Sequence, residues 1–218
     1  MYSIISINIG VPRDVTYTVD RKLKTSLQRS PVKEKVFLDL MGFEGDQVAD
    51  PLNHGGRDKA VCGYPANHYS FWEEELSRKM PPASFGENLT IEGLTEDQIH
   101  IGDLFQMGEA EVQCTQPRQP CHKLTKILGF PKLASRIQSL GYCGYYFRVM
   151  KQGWLQAGMP VERIHSDKEK ISVRDAHYLM YRDKTNYEAI EKLMAHPALS
   201  ESWKNSFAKR LANRKAGL

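Results

Sequence analysis

The 218-residue sequence contains no run of about 20 apolar residues, the length that a membrane-spanning helix needs. Residues 1–9 lack both a basic start and a small-residue cleavage site, so we interpret them as a β-strand and not as a secretion signal. Four scattered cysteines, none in Cys-x-x-Cys spacing, suit neither a disulfide scaffold nor a zinc site. These absences predict a cytoplasmic protein with reduced thiols and no membrane partner.

The sequence also has no glycine-rich dinucleotide fingerprint and no cysteine set for an iron–sulfur cluster. A redox enzyme with this sequence would therefore take its electrons from another protein. The net charge of +4 is modest, and the basic cluster in residues 204–215 is more typical of a solvated helix face than of a nucleic-acid site. We expect no nucleic-acid partner.

Short β-branched or apolar runs, separated by Gly and Pro, dominate residues 1–165 and predict many short strands, as in a barrel or sandwich. Two helical inserts are expected, one beginning at Pro65 and one following Cys121. Glycine is absent from residues 166–216, where Ser172 and Asn186 are candidate helix N-caps. The predicted fold class is therefore mainly β with α: a β-barrel domain over residues 1–165, followed by a three-helix domain over residues 166–218.

One thiol lies in an unusual loop, since residues 116–123 read Gln-Pro-Arg-Gln-Pro-Cys-His-Lys. The two prolines stiffen the chain before Cys121. Arg118, His122 and Lys123 can stabilise a thiolate, which is the form of cysteine that attacks electrophiles and binds metals. A helix starting just after the cysteine would favour an anion at the same place. Taken alone, a buried structural cysteine explains this loop equally well.

Two further polar segments contain residue types that bind ligands. In the turn His54-Gly55-Gly56, the glycines allow close approach of the backbone, and their amides can bind an anion. Lys59 follows this turn and adds a positive charge. Asn88, in the run Phe-Gly-Glu-Asn-Leu, can both donate and accept hydrogen bonds. An ordinary turn accounts for either segment taken alone.

Together and in this order, the motifs resemble the MOSC domain, the family named after the C-terminal domain of molybdenum cofactor sulfurase. The resemblance covers residues 1–165, and the helical tail extends it to the YiiM-like subgroup, which is associated with 6-N-hydroxylaminopurine resistance. It implies a MOSC-type β-barrel with inserted helices. The motifs that carry it are Asp-x-x-x-His-Gly-Gly-x-Asp-Lys-Ala-Val at 50–61, Phe-Gly-Glu-Asn-Leu at 85–89, Gln-Pro-Arg-x-Pro-Cys-x-Lys at 116–123 and Gly-Tyr-Tyr-Phe-Arg-Val at 144–149.

The resemblance further implies that the protein binds the molybdenum cofactor, a molybdopterin that carries molybdenum. Cys121 would be the molybdenum ligand and a catalytic residue in the reduction of N-hydroxylated compounds such as hydroxylaminopurines and amidoximes. Our candidate proton donor is His54, and a separate reductase would supply the electrons. The predicted cofactor-binding residues are Gly55, Gly56, Lys59, Asn88, Arg118 and Lys123.

Three other functions remain open from the sequence. Cys121 could carry a persulfide in a sulfur transferase, the protein could carry the cofactor without catalysis, or the thiol could be inert in a structural protein. The helical tail is expected to help dock the reductase or a second copy of the chain in a homodimer. A structural cap over the barrel explains the tail equally well.

Overall fold

The computed structural model describes residues 1–215. Its strands are β1 (Tyr2–Ile9), β2 (Arg13–Thr18), β3 (Arg21–Thr25), β4 (Ser30–Val32), β5 (Val36–Asp39), β6 (Gly42–Phe43), β7 (Val61–Pro65), β8 (Leu89–Glu92), β9 (Leu104–Met107), β10 (Ala110–Pro117), β11 (Tyr145–Lys151), β12 (Gly153–Leu155) and β13 (Pro160–His165). Its helices are α1 (Pro51–His54), α2 (Tyr69–Leu76), α3 (His122–Leu128), α4 (Leu133–Leu140), α5 (Val173–Tyr181), α6 (Tyr187–Ala195) and α7 (Glu201–Lys215). Short 3₁₀ turns occupy Arg57–Lys59 and Ala66–His68.

Seven strands close into a barrel in the order β13-β9-β10-β11-β7-β8-β1, and β1 pairs back to β13. Neighbouring strands are antiparallel except for β7 and β8, which run parallel. Closure leaves no long unpaired edge in the barrel, and β4 adds a short strand against β1. The strand pattern left a barrel and a sandwich open, and the structure confirms the barrel that the MOSC resemblance implied.

Apolar side chains of the barrel strands fill its interior, and Ile4, Leu89, Phe105 and Phe147 are fully buried. Two smaller sheets lie outside the barrel: β12, β5 and β6 form one, and β2 with β3 forms a hairpin. The hairpin and the segment after β6 both contribute residues to one cleft beside the barrel.

The three predicted tail helices are confirmed, and the N-caps predicted for two of them hold. Ser172 and Asp175 form a capping box at α5, and the Asn186 side chain accepts a hydrogen bond from the Ala189 N–H at α6. Trp203 of α7 is fully buried in one continuous core with the barrel residues. The boundary at 165/166 stays a prediction, because the tail shares its core with the barrel. Within residues 1–215, no helix combines the length and the apolar character needed to cross a bilayer.

The expected helix start at Pro65 is wrong. Pro65 is the last residue of β7, where it lies opposite Ile91 of the parallel strand β8. A single 3₁₀ turn follows, and α2 begins only at Tyr69. The expected helical insert does form, and its Trp72 is fully buried. Proline fits the end of a strand as well as the start of a helix, so the sequence left the position of this boundary ambiguous.

Candidate functional site

A cleft of about 430 Å³ opens beside the barrel. Its wall combines the end of the β2–β3 hairpin, the segment from β6 to α1, the start of β7 and the loop before α3. The structure brings all the sequence-predicted site residues to this one cleft: His54, Gly55, Gly56, Lys59, Asn88, Arg118, Cys121 and Lys123. Their chemical roles stay predictions.

Cys121 occupies the N-cap position of α3, as the loop pattern predicted. The loop is tied to the barrel where the Arg118 N–H donates to the Gly144 carbonyl at 3.0 Å. Gly144 has a φ of 73°, and a Cβ there would lie 2.6 Å from the Gly63 carbonyl oxygen. Position 144 therefore needs glycine. The thiol of Cys121 is mostly buried, and its Sγ lies 3.9 Å from His54 Nε2.

Cys121 has the most acidic thiol in the cleft. Burial raises the pKa of this thiol, but the hydrogen bond with His54, the Lys123 N–H and the charge of Arg118 together lower it to about 7. Cys62 also lines the cleft, and there burial raises the thiol pKa above its ordinary value. The sequence indicated three cationic neighbours for Cys121, whereas in the structure the His122 side chain is exposed and the imidazole beside the thiol is that of His54.

Arg118 places its cation at the wall of the cleft. Only 6% of the residue is exposed, and within residues 1–215 its guanidinium forms no hydrogen bond and no ion pair, while its nitrogens keep access to the cleft. Burial alone would lower the pKa of the Arg118 guanidinium, but nearby ionisable groups raise this pKa by more, so the guanidinium stays charged. These groups are Cys62, Tyr146, Cys121 and Glu87. The Ser26 hydroxyl, also on the cleft wall, is likewise buried without a hydrogen-bond partner. A buried hydroxyl normally has a partner, and a guanidinium that opens onto a cleft can bind an anion, so the two groups together suit an anionic ligand.

A second buried arginine on the same wall is fully paired. Arg29 donates through Nε and Nη2 to the two carboxylate oxygens of Asp46, at 2.9 and 2.8 Å, and through Nη1 to the Gly86 carbonyl. The Asn88 amide nitrogen donates to Asp46 at 2.9 Å, and its oxygen accepts the Cys62 N–H at 3.1 Å. Asn88 therefore connects this ion pair to β7, and its amide is occupied by the protein itself.

The predicted cationic residues at the rim are held by main-chain carbonyls. Lys59 Nζ donates to the Asn53 carbonyl at 2.8 Å, and Lys123 Nζ to the Lys24 carbonyl at 3.1 Å. Burial lowers the pKa of Lys59, and the charges of nearby aspartates offset this only in part. Each ammonium keeps donor capacity for a ligand, because it has three N–H bonds and uses one here.

The side chains of the cleft fit an anionic cofactor whose metal accepts a sulfur ligand. A thiol of lowered pKa is a soft ligand suited to a heavy transition metal. An unpaired guanidinium and an unpaired hydroxyl suit the oxygens of a phosphate. Sequence reasoning missed Arg29 and Ser26. Neither lies in a recognisable motif, and residues 26–29 come beside residues 86–88 only because β4 and β8 both pair with β1.

Comparison with known proteins matches both parts of the chain. The MOSC domain model matches residues 50–162, and the model for the YiiM-like 3-alpha helix domain matches residues 171–214. Protein YflK of Bacillus subtilis is 47% identical over 209 residues, which cover 96% of this chain and 94% of YflK. A protein named reductase from Gibberella moniliformis is 30% identical over 146 residues, 63% of this chain and 25% of that protein.

The crystal structure of YiiM from Geobacillus stearothermophilus superimposes with a TM-score of 0.83 and 35% identity, covering 97% of this chain and all of that one. Sequence, barrel and helical tail thus agree over nearly the whole length. The chain belongs to the MOSC domain family and, within it, to the YiiM-like group.

Proposed function

We propose that this protein holds the molybdenum cofactor in the cleft, with Cys121 as metal ligand, and reduces N-hydroxylated compounds such as hydroxylaminopurines and amidoximes. Electrons come from a separate reductase. The MOSC family is associated with the molybdenum cofactor, and one relative is named a reductase. The observation that carries the proposal is the Arg118 guanidinium, which has no partner within residues 1–215 and opens onto the same cleft as Cys121, the thiol of lowered pKa.

The chain's own residues divide the work of holding the cofactor. Cys121 provides the thiolate, and the Arg118 guanidinium and the Ser26 hydroxyl provide donors for phosphate oxygens. Lys59 and Lys123 add positive charge at the rim, where their remaining N–H bonds can reach the ligand. Gly56 has a φ of 93°, and a Cβ at this position would have no atom within 4 Å, so the turn leaves space at the opening.

The overall reaction is the reduction of an N–OH group: R–NHOH takes up two electrons and two protons and gives R–NH₂ and water. The bound cofactor supplies the two-electron redox centre. His54 is the protein's proton donor in this proposal, because its Nε2 lies 3.9 Å from Cys121 Sγ and the ring lines the cleft. Its proton would go to the oxygen that leaves as water when the N–O bond breaks.

The test is metal analysis of protein purified from a host that makes the cofactor. We expect wild-type protein to carry close to one molybdenum per chain, and Cys121→Ser to lose it. Cys62→Ser is the matched control, because Cys62 lines the same cleft but burial raises its thiol pKa. Turnover of 6-N-hydroxylaminopurine with a chemical reductant then tests the reaction.

The outcomes separate the candidate functions. Stoichiometric molybdenum without turnover would favour a cofactor carrier. A persulfide on Cys121 in protein that lacks molybdenum would favour sulfur transfer. Equal molybdenum content in Cys121→Ser and wild type would show that the metal-ligand role of Cys121 is wrong.

A further inference from the structure

Two elements that border the cleft concentrate positive charge at its edge. The β2–β3 hairpin, residues 13–25, and helix α3, residues 122–128, together carry six Lys and Arg and only two Asp. They contact each other, since Lys123 Nζ donates to the Lys24 carbonyl and Lys126 Nζ lies 5.0 Å above the ring of Tyr17. We call these two elements the basic edge.

The Lys and Arg side chains of the basic edge take part in no ion pair in the part of the chain that the structure describes. The Lys and Arg ion pairs found between residues 1 and 215 lie elsewhere, and none involves a residue of the hairpin or of α3. The side chains of Arg21, Lys22, Lys24 and Lys126 are exposed. At the tip of the hairpin, Val19 is 94% exposed and places an apolar side chain among the charges. A charged rim with an apolar contact is typical of a protein–protein interface.

The basic edge is also next to the candidate redox centre. Thr25 and Ser26, where the hairpin ends, line the cleft together with Cys121 and Lys123, where α3 begins. In contrast, none of the described residues of the helical tail, 166–215, lines the cleft. An electron donor seated on the basic edge would therefore face the cleft at close range.

We propose that the basic edge is the docking surface for an acidic electron-carrier protein that supplies the two electrons of the reduction. The inference rests on the proposed reductase function, which requires an external donor. Opposite charge on the partner would speed association and orient the complex, and both effects weaken with salt. A nucleic acid would use the same charges, but the exposed Val19 and the position beside a redox cleft favour a protein.

The test compares two triple variants with the same change in charge. Arg21→Glu, Lys22→Glu and Lys24→Glu reverse exposed side chains of the hairpin that take part in no side-chain hydrogen bond or ion pair within residues 1–215 and do not line the cleft. The control triple, Lys168→Glu, Lys184→Glu and Lys209→Glu, reverses exposed lysines of the tail. The protein is used as purified with its cofactor. The probes are flavodoxin, an acidic FMN protein, and cytochrome c, a basic haem protein.

We expect flavodoxin to bind wild-type protein and cytochrome c not to bind. The hairpin triple should weaken flavodoxin binding at least about tenfold at low salt, mainly through slower association, and the control triple less than about twofold. Neutral Gln in place of Glu should give an intermediate loss. In about 1 M salt, where charges are screened within about 3 Å, the variants should converge.

The proposal is overturned if flavodoxin does not bind wild-type protein, if the control triple loses as much affinity as the hairpin triple, or if duplex DNA binds the basic edge more tightly than flavodoxin does. It is equally overturned if the hairpin triple only breaks a homodimer. Failure of the proposed function looks different, because the purified protein would then lack molybdenum or would not reduce 6-N-hydroxylaminopurine with a chemical reductant. Turnover with a chemical reductant should be the same in the hairpin triple and in wild type, so that only donor docking is altered.

Discussion

Arg118 offers the most direct test of how the cleft binds an anion. Arg118→Met keeps the length and the apolar stem of the side chain and removes the charge. In the bound state we expect Arg118 to form at least one charge-assisted hydrogen bond with phosphate, worth about 2 kcal/mol. The variant should therefore bind the cofactor roughly thirtyfold more weakly. The cofactor-free protein should lose little stability, within about 1 kcal/mol, because the guanidinium has no partner to leave behind.

Arg29 is the matched control, since its side chain is largely buried on the same cleft wall. It holds Asp46 through two hydrogen bonds at 2.9 and 2.8 Å. Arg29→Met would leave the Asp46 carboxylate buried without its partner, which costs about 3–5 kcal/mol. The two substitutions therefore have opposite signatures. One should lower cofactor affinity at nearly constant stability, whereas the other should lower stability first.

Two measurements separate these signatures. Urea unfolding of protein made in a host without molybdopterin gives the free energy of unfolding of each variant. Pterin released from protein made in a competent host, measured by fluorescence after extended dialysis, gives cofactor retention. If Arg118→Met destabilises the cofactor-free protein as much as Arg29→Met does, Arg118 is a structural residue and the anion-binding argument fails.

Three further predictions follow from charge and burial. The rate of Cys121 alkylation in the cofactor-free protein should rise with pH with a midpoint near pH 7. His54→Asn should move this midpoint upward, because the hydrogen bond with His54 lowers the pKa of the thiol. An unmoved midpoint would contradict the assigned contact. Acid should weaken folding through His177, because burial lowers its pKa to about 4 from 6.5. The contribution of neutral His177 to the free energy of unfolding is fully present above pH 6.5 and falls towards pH 4, with a loss of about 2 kcal/mol at pH 5. His177→Gln should remove this pH dependence of the free energy of unfolding, measured by urea titration. Asp58→Asn should speed hydrogen exchange at the first turn of α7, because this carboxylate accepts the Glu201 N–H at 3.0 Å; unchanged exchange there would show that the contact does not hold the helix.

The elements predicted best from the sequence are those whose signals are local. The capping residues Ser172 and Asn186 lie next to the helices that they cap, and the Gly and Pro punctuation marks most of the barrel strands. The sequence did not indicate β3, β4, β6, β12 or α1. These elements are two to five residues long, too short to show a periodic pattern, and β4 and β12 form only by pairing with the distant strands β1 and β5.

The residues of the candidate site also divide into those with a local sequence signal and those without one. Cys121 and His54 stand in motifs, so their residue types alone made them candidates. Ser26 and Arg29 lie in a short polar segment with no pattern of its own. Their place in the cleft depends on the pairing of β4 and β8 with β1, which brings the Arg29 guanidinium within 2.6 Å of the Gly86 carbonyl across a separation of 57 residues. Contacts of this range cannot be inferred from one sequence.

Position in a motif does not by itself distinguish a residue that binds a ligand from one that supports the site. Asn88 and Arg118 were predicted side by side as cofactor contacts. The Asn88 amide is already hydrogen-bonded to Asp46 and to the Cys62 N–H, whereas the Arg118 guanidinium opens onto the cleft and has no partner within residues 1–215. A charged donor in that position is free to bind an anionic ligand, whereas an amide that is already paired supports the site. Hydrogen-bond occupancy thus separates two roles that the sequence presents as one, and it identifies Arg118 as the residue that substitution should test first.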